Sequence, residues 1–196
     1  MSVDDLIGNA FTALWIIFFA YWLLAALRIK RVKSAESLGS RLSYGLPIWI
    51  AYVLLLTRSR IWGPLSHQIF PPTLALALTG LALTALGIGV AIWARYTLGQ
   101  NWSSKVTIKV DHELIRSGPY AYVRHPINTG LLLAFLGTGL GINQWRAALA
   151  VVLAWTAFCM KARTEEKMLA QEFGEHFADH RQRTGFFMPR VTPRSN

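Results

Sequence analysis

The chain contains one cysteine, ten acidic residues and only 15% charged residues in all. Each shortage excludes something. A lone Cys159, set in an apolar run beside Met160, leaves no disulfide framework and no paired-cysteine metal site. With 53% hydrophobic residues against so little charge, the 196 residues are too apolar for a soluble domain, and a bilayer is the natural solvent. The 20 Lys and Arg outnumber the acids and give a net charge of +10, but they punctuate apolar runs instead of clustering on a polar domain, which argues against nucleic acid as a partner. No basic segment precedes the first apolar run, which follows Asp4 and Asp5, so that run is expected to be retained as a span. Histidine is absent from the centre of every apolar run, which disfavours a haem or redox carrier subunit; ionisable midplane residues and repeated halves, the marks of a transporter, are missing too. Metal binding by His112 with His125, or by His176 with His180, lacks a third ligand in reach.

What is present is a series of apolar segments. Residues 7–27 carry no charge and are long enough to cross a hydrocarbon core of roughly 30 Å. Residues 44–56 form a shorter run with Pro47 near its start, and 73–94 form the longest, with Gly80, Gly87 and Gly89 expected at helix contacts. The last region, 127–162, is interrupted at Gly141, Asn143, Gln144 and Arg146 and reads as two helices turning back on each other, with Gly137 and Gly141 at small-residue spacing. The expected fold is therefore all-α: a single polytopic membrane domain over 1–196 with about five transmembrane helices, the last two a hairpin. A C-terminal amphipathic helix is expected over 165–183, where Met168, Leu169, Phe173 and Phe177 recur at helical spacing. Alternating the segments across the membrane puts 17 of the 20 basic residues on one side and leaves Arg58, Arg60 and Arg146 on the other. By the positive-inside rule the N-terminus lies outside and the C-terminus in the cytoplasm, in a bacterial inner membrane, with the polar segments 95–126 and 161–196 facing any soluble cosubstrate.

Those polar segments hold the chemistry. Arg124-His125-Pro126 stands where the chain re-enters the membrane, and Pro126 biases His125 away from helix, so the following span starts with free backbone N–H groups near a basic residue. Taken alone, Arg124 and His125 are more often interfacial anchors. Arg163, Glu165 and Glu166 stand where the final helix is expected to leave the membrane; they read equally as an ion-pair site or as a solvated, charged helix start.

Taken in order, Leu98-Gly99-x-x-Trp102, His112-x-Leu114-Ile115-x-x-Gly118-x-Tyr120-x-x-x-Arg124-His125-Pro126, a helical hairpin and Glu165-Glu166-x-x-Leu169-x-x-x-Phe173-Gly174 resemble the isoprenylcysteine carboxyl methyltransferase family and its bacterial and phospholipid methyltransferase relatives. The resemblance covers roughly residues 95–190, within a methyltransferase-like core over 73–196; the two N-terminal spans and loops, 1–72, carry no signature. It implies a membrane enzyme that takes S-adenosylmethionine from the cytoplasm, releases S-adenosylhomocysteine, and methylates a lipophilic acceptor held in the bilayer. Carried over by position, it implies that His112, Glu113, Leu114, Ile115, Tyr120, His125, Pro126 and Glu165 hold the cofactor, Glu113 and Ile115 mostly through backbone. It implies Arg163 or Lys161 at the acceptor carboxylate and Trp102 and Asn128 against the substrate, Asn128 standing where the family usually has tyrosine. A carboxylate acceptor needs no general base because it is already ionised at neutral pH; an amine acceptor, as in phospholipid ethanolamine methylation, would call on Glu166 or His125. The sequence leaves the oligomeric state open.

Overall fold

The computed structural model describes residues 2–27, 32–57, 60–102, 106–109 and 113–190. Six helices account for most of them: α1 (Val3–Ala26), α2 (Leu38–Leu56), α3 (Leu74–Leu98), α4 (Pro126–Ile142), α5 (Trp145–Phe173) and α6 (Glu175–Arg183). Helices α1, α2, α3 and α5 are long and apolar enough to cross a membrane, and α4 is a shorter apolar helix of 17 residues. Their exposed surface is greasy: Leu23, Leu24, Trp49, Val152 and Trp155 all point away from the protein, as expected where lipid replaces water.

The starts of the helices follow local chemistry. Ser2, Ser37 and Thr73 cap α1, α2 and α3, each side-chain oxygen accepting a backbone N–H of the first turn. Helix α2 begins six residues before the apolar run that announced it and carries Pro47 inside. The α4–α5 hairpin turns at Asn143 in the left-handed region (φ 52), and its amide exchanges hydrogen bonds with the Phe70 backbone, which ties the α2–α3 connection to the hairpin.

The packing core is the α3–α4 pair. A Cβ added at Gly87 would lie 2.4 Å from the Gly130 carbonyl, and one at Gly80 2.5 Å from that of Gly137, so the backbones meet through small residues. Gly89, expected at the same seam, has no neighbour within 4 Å and faces away from it. At this seam Trp15 Nε1 donates to Thr138 Oγ1 at 3.1 Å, and the Thr84 and Thr138 hydroxyls lie 3.1 Å apart, which fixes α1 against both helices. Helix α1 packs mainly on α3 and α2 mainly on α5, and the first two helices meet where Tyr52 packs against Trp15 and Phe19, ring centres 5.6 Å apart in each pair.

Two features differ from the sequence expectation. Strands β1 (Val32–Ala35) and β2 (Thr107–Lys109) form a short antiparallel ladder that pulls the α1–α2 connection onto the long polar segment, reinforced by Glu36 Oε1 accepting the Val106 N–H at 3.0 Å. More consequentially, no new helix begins near Arg163. Helix α5 runs unbroken through Lys161, Arg163, Glu165 and Glu166 to Phe173, and the expected 165–183 helix is split at Gly174, whose φ of 51° ends α5 before α6 starts. A change of polarity does not stop a helix; a residue that takes positive φ does. At 1.5 Å per residue α5 is about 43 Å long, so its C-terminal turns project beyond a hydrocarbon core of roughly 30 Å.

Candidate functional site: a polar cleft meeting an apolar groove

One length of α5 serves two sites because of its pitch. Lys161, Glu165, Met168 and Leu169 recur at helical spacing and line a polar cleft, while Arg163, Glu166, Lys167 and Ala170 lie on a neighbouring stripe that faces a different groove. The cleft's other walls come from Asn101, Trp102 and Thr107, from Glu113, Leu114 and Ile115, from Tyr120, from Arg124, His125, Ile127 and Asn128, and from Phe177 and His180 of α6. Of the residues expected at the cofactor, Glu113, Leu114, Ile115, Tyr120, His125 and Glu165 all line this cleft; Pro126 lies fully buried behind it at the start of α4, and His112 lies outside the described residues.

The Arg-His-Pro block is held from behind. Arg124 Nε donates to Glu166 Oε1 at 2.6 Å, and His125 Nε2 lies 3.1 Å from the same oxygen, while His125 Nδ1 lies 3.8 Å from Glu165 Oε2. The two adjacent glutamates thus bracket one imidazole, and only Glu165 is open to the cleft. Glu166 positions the block; it does not enter the cleft. Residues 184–190, which carry no recognisable signal, fold back as a strap: Arg124 N–H donates to the Gly185 carbonyl at 2.9 Å, Gly185 N–H to that of Tyr122 at 3.0 Å, and Phe186 packs edge-on to His125 with ring centres 5.0 Å apart. Arg116 pairs with Asp179 at 3.3 Å and so draws α6 over the cleft.

Burial keeps two groups of the lining neutral among its charged neighbours. Burial, followed by the cations Arg116 and Arg124, pushes His180 down to about 4, so its imidazole is uncharged at neutral pH. Burial and then Glu165 raise the Tyr120 phenol well above its ordinary value, leaving it a hydrogen-bond donor. Asn101 Oδ1 and Thr107 Oγ1 are buried in the same wall with no hydrogen-bond partner among the described residues. Buried polar atoms left unpaired are costly, and a ligand rich in N–H and O–H groups, such as a nucleoside with its amino group and ribose hydroxyls, would pair with both. Sequence reasoning missed this pair; Asn101 stood inside the Leu98-to-Trp102 block, whereas Thr107 gave no signal. Among the described residues no three His, Cys, Asp or Glu side chains gather as a metal site.

The cleft opens into a second, apolar space. Phe18, Phe19 and Trp22 of α1, Tyr44, Ile48 and Tyr52 of α2, and Leu131 and Phe158 beneath line a groove in the gap between the first two helices. Trp102, Ile127, Asn128 and Lys161 line both spaces and form their junction. Trp102 is fixed there by the Arg95 guanidinium, 4.3 Å from its ring centre, and by Trp22 at 5.4 Å. The two basic candidates for an acceptor are thereby separated: Lys161 reaches the junction and Arg163 does not.

The model of a family described as phospholipid methyltransferase matches residues 76–176, just over half of the chain. The chain belongs to the phospholipid methyltransferase family. The match runs from α3 into the first turn of α6 and thus contains the block from Tyr120 to Pro126, the hairpin and both glutamates. Among this family member's relatives, the cobalt-zinc-cadmium resistance protein CzcN of Cupriavidus metallidurans is 32% identical over 148 residues, 74% of this chain and 63% of that one. The protein-S-isoprenylcysteine O-methyltransferase of Schizosaccharomyces pombe is 31% identical over 116 residues, 58% of this chain and 49% of its own; that of Saccharomyces cerevisiae is 28% identical over 179 residues, covering 88% and 74%. The chain therefore spans less than two thirds of the first two. The solved structure of a eukaryotic intramembrane Ras methyltransferase, an isoprenylcysteine carboxyl methyltransferase, shares the fold with a TM-score of 0.64 at 20% identity, over 96% of this chain and 68% of that one.

Proposed function

We propose that this phospholipid methyltransferase family member is an S-adenosylmethionine-dependent O-methyltransferase that esterifies the carboxylate of a lipophilic, isoprenylcysteine-like acceptor. The observation that carries the reading is the junction: a polar cleft with unpartnered acceptors and an apolar groove opening between α1 and α2 share Trp102, Asn128 and Lys161. An amphiphile with its tail in the groove places its head where a ligand of the cleft ends. The topology proposed with it is five spans, the shorter α4 among them, with the N-terminus outside and the cleft on the cytoplasmic side of a bacterial inner membrane, in keeping with where the basic residues fall.

S-adenosylmethionine, when bound, supplies an electrophilic methyl group for in-line displacement. The chain's part is alignment and exclusion of water, since charge in such a displacement disperses in the transition state. Asn101 and Thr107 would accept from the cofactor's nucleoside, Tyr120 would donate to it, and Glu165 and His125 would hold the cofactor's amino-acid end. His125 keeps its orientation through Glu166 and the strap. Lys161 orients the acceptor carboxylate, and no side chain need remove a proton. Phospholipid amine methylation is the second reading, favoured by the family description itself. The cation at the junction weighs against it, because Lys161 attracts a carboxylate and repels a protonated amine. The test is transfer of labelled methyl by the purified protein to a prenylated N-acetylcysteine and, separately, to phosphatidylethanolamine. A base-labile methyl ester on the first is expected; label on the amine alone would replace this reading with the second.

A further inference from the structure

The other stripe of α5 faces a basic groove that the proposed chemistry does not use. Arg163 and Lys167 stand one turn apart on α5, Arg181 comes from α6 and Arg190 from the strap, and all four line the same depression over a floor of Ala170, Gly174 and Ala178. Its one acid, Glu166, is engaged by Arg124 and His125. Among the described residues the ion pairs go to Arg116, Arg124, His125 and Arg183, and to none of these four cations. Four like charges from three elements are held together with no counter-ion paired to them among the described residues, an arrangement that an anion stabilises.

The depth of the groove identifies the anion's source. Trp145 opens α5, is 53% exposed and suits the opposite interface. Arg163 lies eighteen residues further, about 27 Å along the axis, and Lys167 about 6 Å beyond that. Against a hydrocarbon thickness of roughly 30 Å, the groove starts at headgroup level. We propose that it binds the phosphate of an anionic phospholipid of the leaflet on the cleft's side. Because Arg181 and Arg190 belong to α6 and the strap, the bound lipid joins to α5 the two elements that close over the cleft and back His125.

The test is thermal unfolding of the full chain in detergent–phosphatidylcholine micelles titrated with phosphatidylglycerol, with native mass spectrometry to count retained lipids. Wild type is expected to gain a saturable rise in Tm and one retained phosphatidylglycerol. The R163Q/R181Q/R190Q variant should bind it on the order of a hundredfold more weakly, the combined effect of three interfacial cations. Arg183→Gln, which removes a neighbouring cation outside the groove, should respond as wild type does. All three side chains are exposed, and the Tm in phosphatidylcholine alone checks the variant's fold. No response in wild type, or an equal response in the triple variant, overturns the proposal. A rise produced by inorganic phosphate alone overturns the lipid as source and makes this a site for a soluble anion.

Discussion

Replacing Lys161 with methionine, which keeps the stem and removes the ammonium, tests the assignment of the acceptor site most directly. Lys161 is partly buried at the junction, so its contact with a carboxylate is screened less than a surface pair and falls in the range of hydrogen bonds to charged groups, about 1.5–3 kcal/mol. That converts to a loss of roughly ten- to a hundredfold in kcat/KM for the acceptor. The cofactor end of the cleft is untouched, so the Kd for S-adenosylhomocysteine from calorimetric titration should change less than about threefold. Arg163→Met, assayed in the same phosphatidylcholine micelles, should cost less than about threefold in acceptor kcat/KM, because its side chain lies on the other stripe of α5. The decisive assay is initial-rate methyl transfer to the prenylated acceptor at saturating cofactor. If Arg163→Met loses more than Lys161→Met, or if Lys161→Met loses cofactor affinity in step with activity, the reasoning from the junction is refuted.

Other perturbations follow from the same geometry. Gly87→Ala forces a methyl group to 2.4 Å from the Gly130 carbonyl and should destabilise the chain by about 1–3 kcal/mol, read as a fall in Tm, whereas Gly89→Ala, facing open space, should leave Tm unchanged. Asn101→Ala with Thr107→Val removes two buried polar groups that have no partner among the described residues; S-adenosylhomocysteine binding should weaken by about tenfold per lost bond while the Tm without ligand does not fall. His180 sits at about 4 in the fold against an ordinary 6.5, so the unfolded chain binds the extra proton between those values. Its contribution to stability is complete above pH 6.5 and is lost as pH falls towards 4; His180→Gln should flatten the Tm-against-pH curve in that window.

Much of the site was legible because proline and glycine act locally. Pro126 set the start of α4 and left His125 non-helical, and the turn at Gly118–Ala121 delivered Tyr120 to the cleft. The glutamate pair was visible as well, but not which member faced the ligand. Adjacent residues on a helix diverge by about 100°, so Glu165 and Glu166, like Lys161 and Arg163, are assigned only once the rotation of α5 is known. A signal was available: a helix kept continuous from 161 to 174 sorts itself into one stripe through Lys161, Glu165 and Met168 and another through Arg163, Glu166 and Lys167. Ending the span at its change of polarity hid it. Arg146, read as an interruption and as one of three basic residues on the outer side, is buried and donates to the carbonyls of Leu54 and Thr57, closing the C-terminal end of α2; nothing in the sequence marks so distant a partner.

The sequence by itself determined the solvent, the helices and the order of the polar blocks, since hydropathy, caps and helix-breaking residues act within a few residues of chain. Tertiary structure alone decided that α1 packs on α3 while α2 packs on α5, that β1 draws the first loop onto the polar segment at 107–109, and that residues 184–190 return to Tyr122 and Arg124. Those are contacts between positions 60 or more apart, set within a frame in which α3 and α4 meet through glycine and α1 and α5 pack against them.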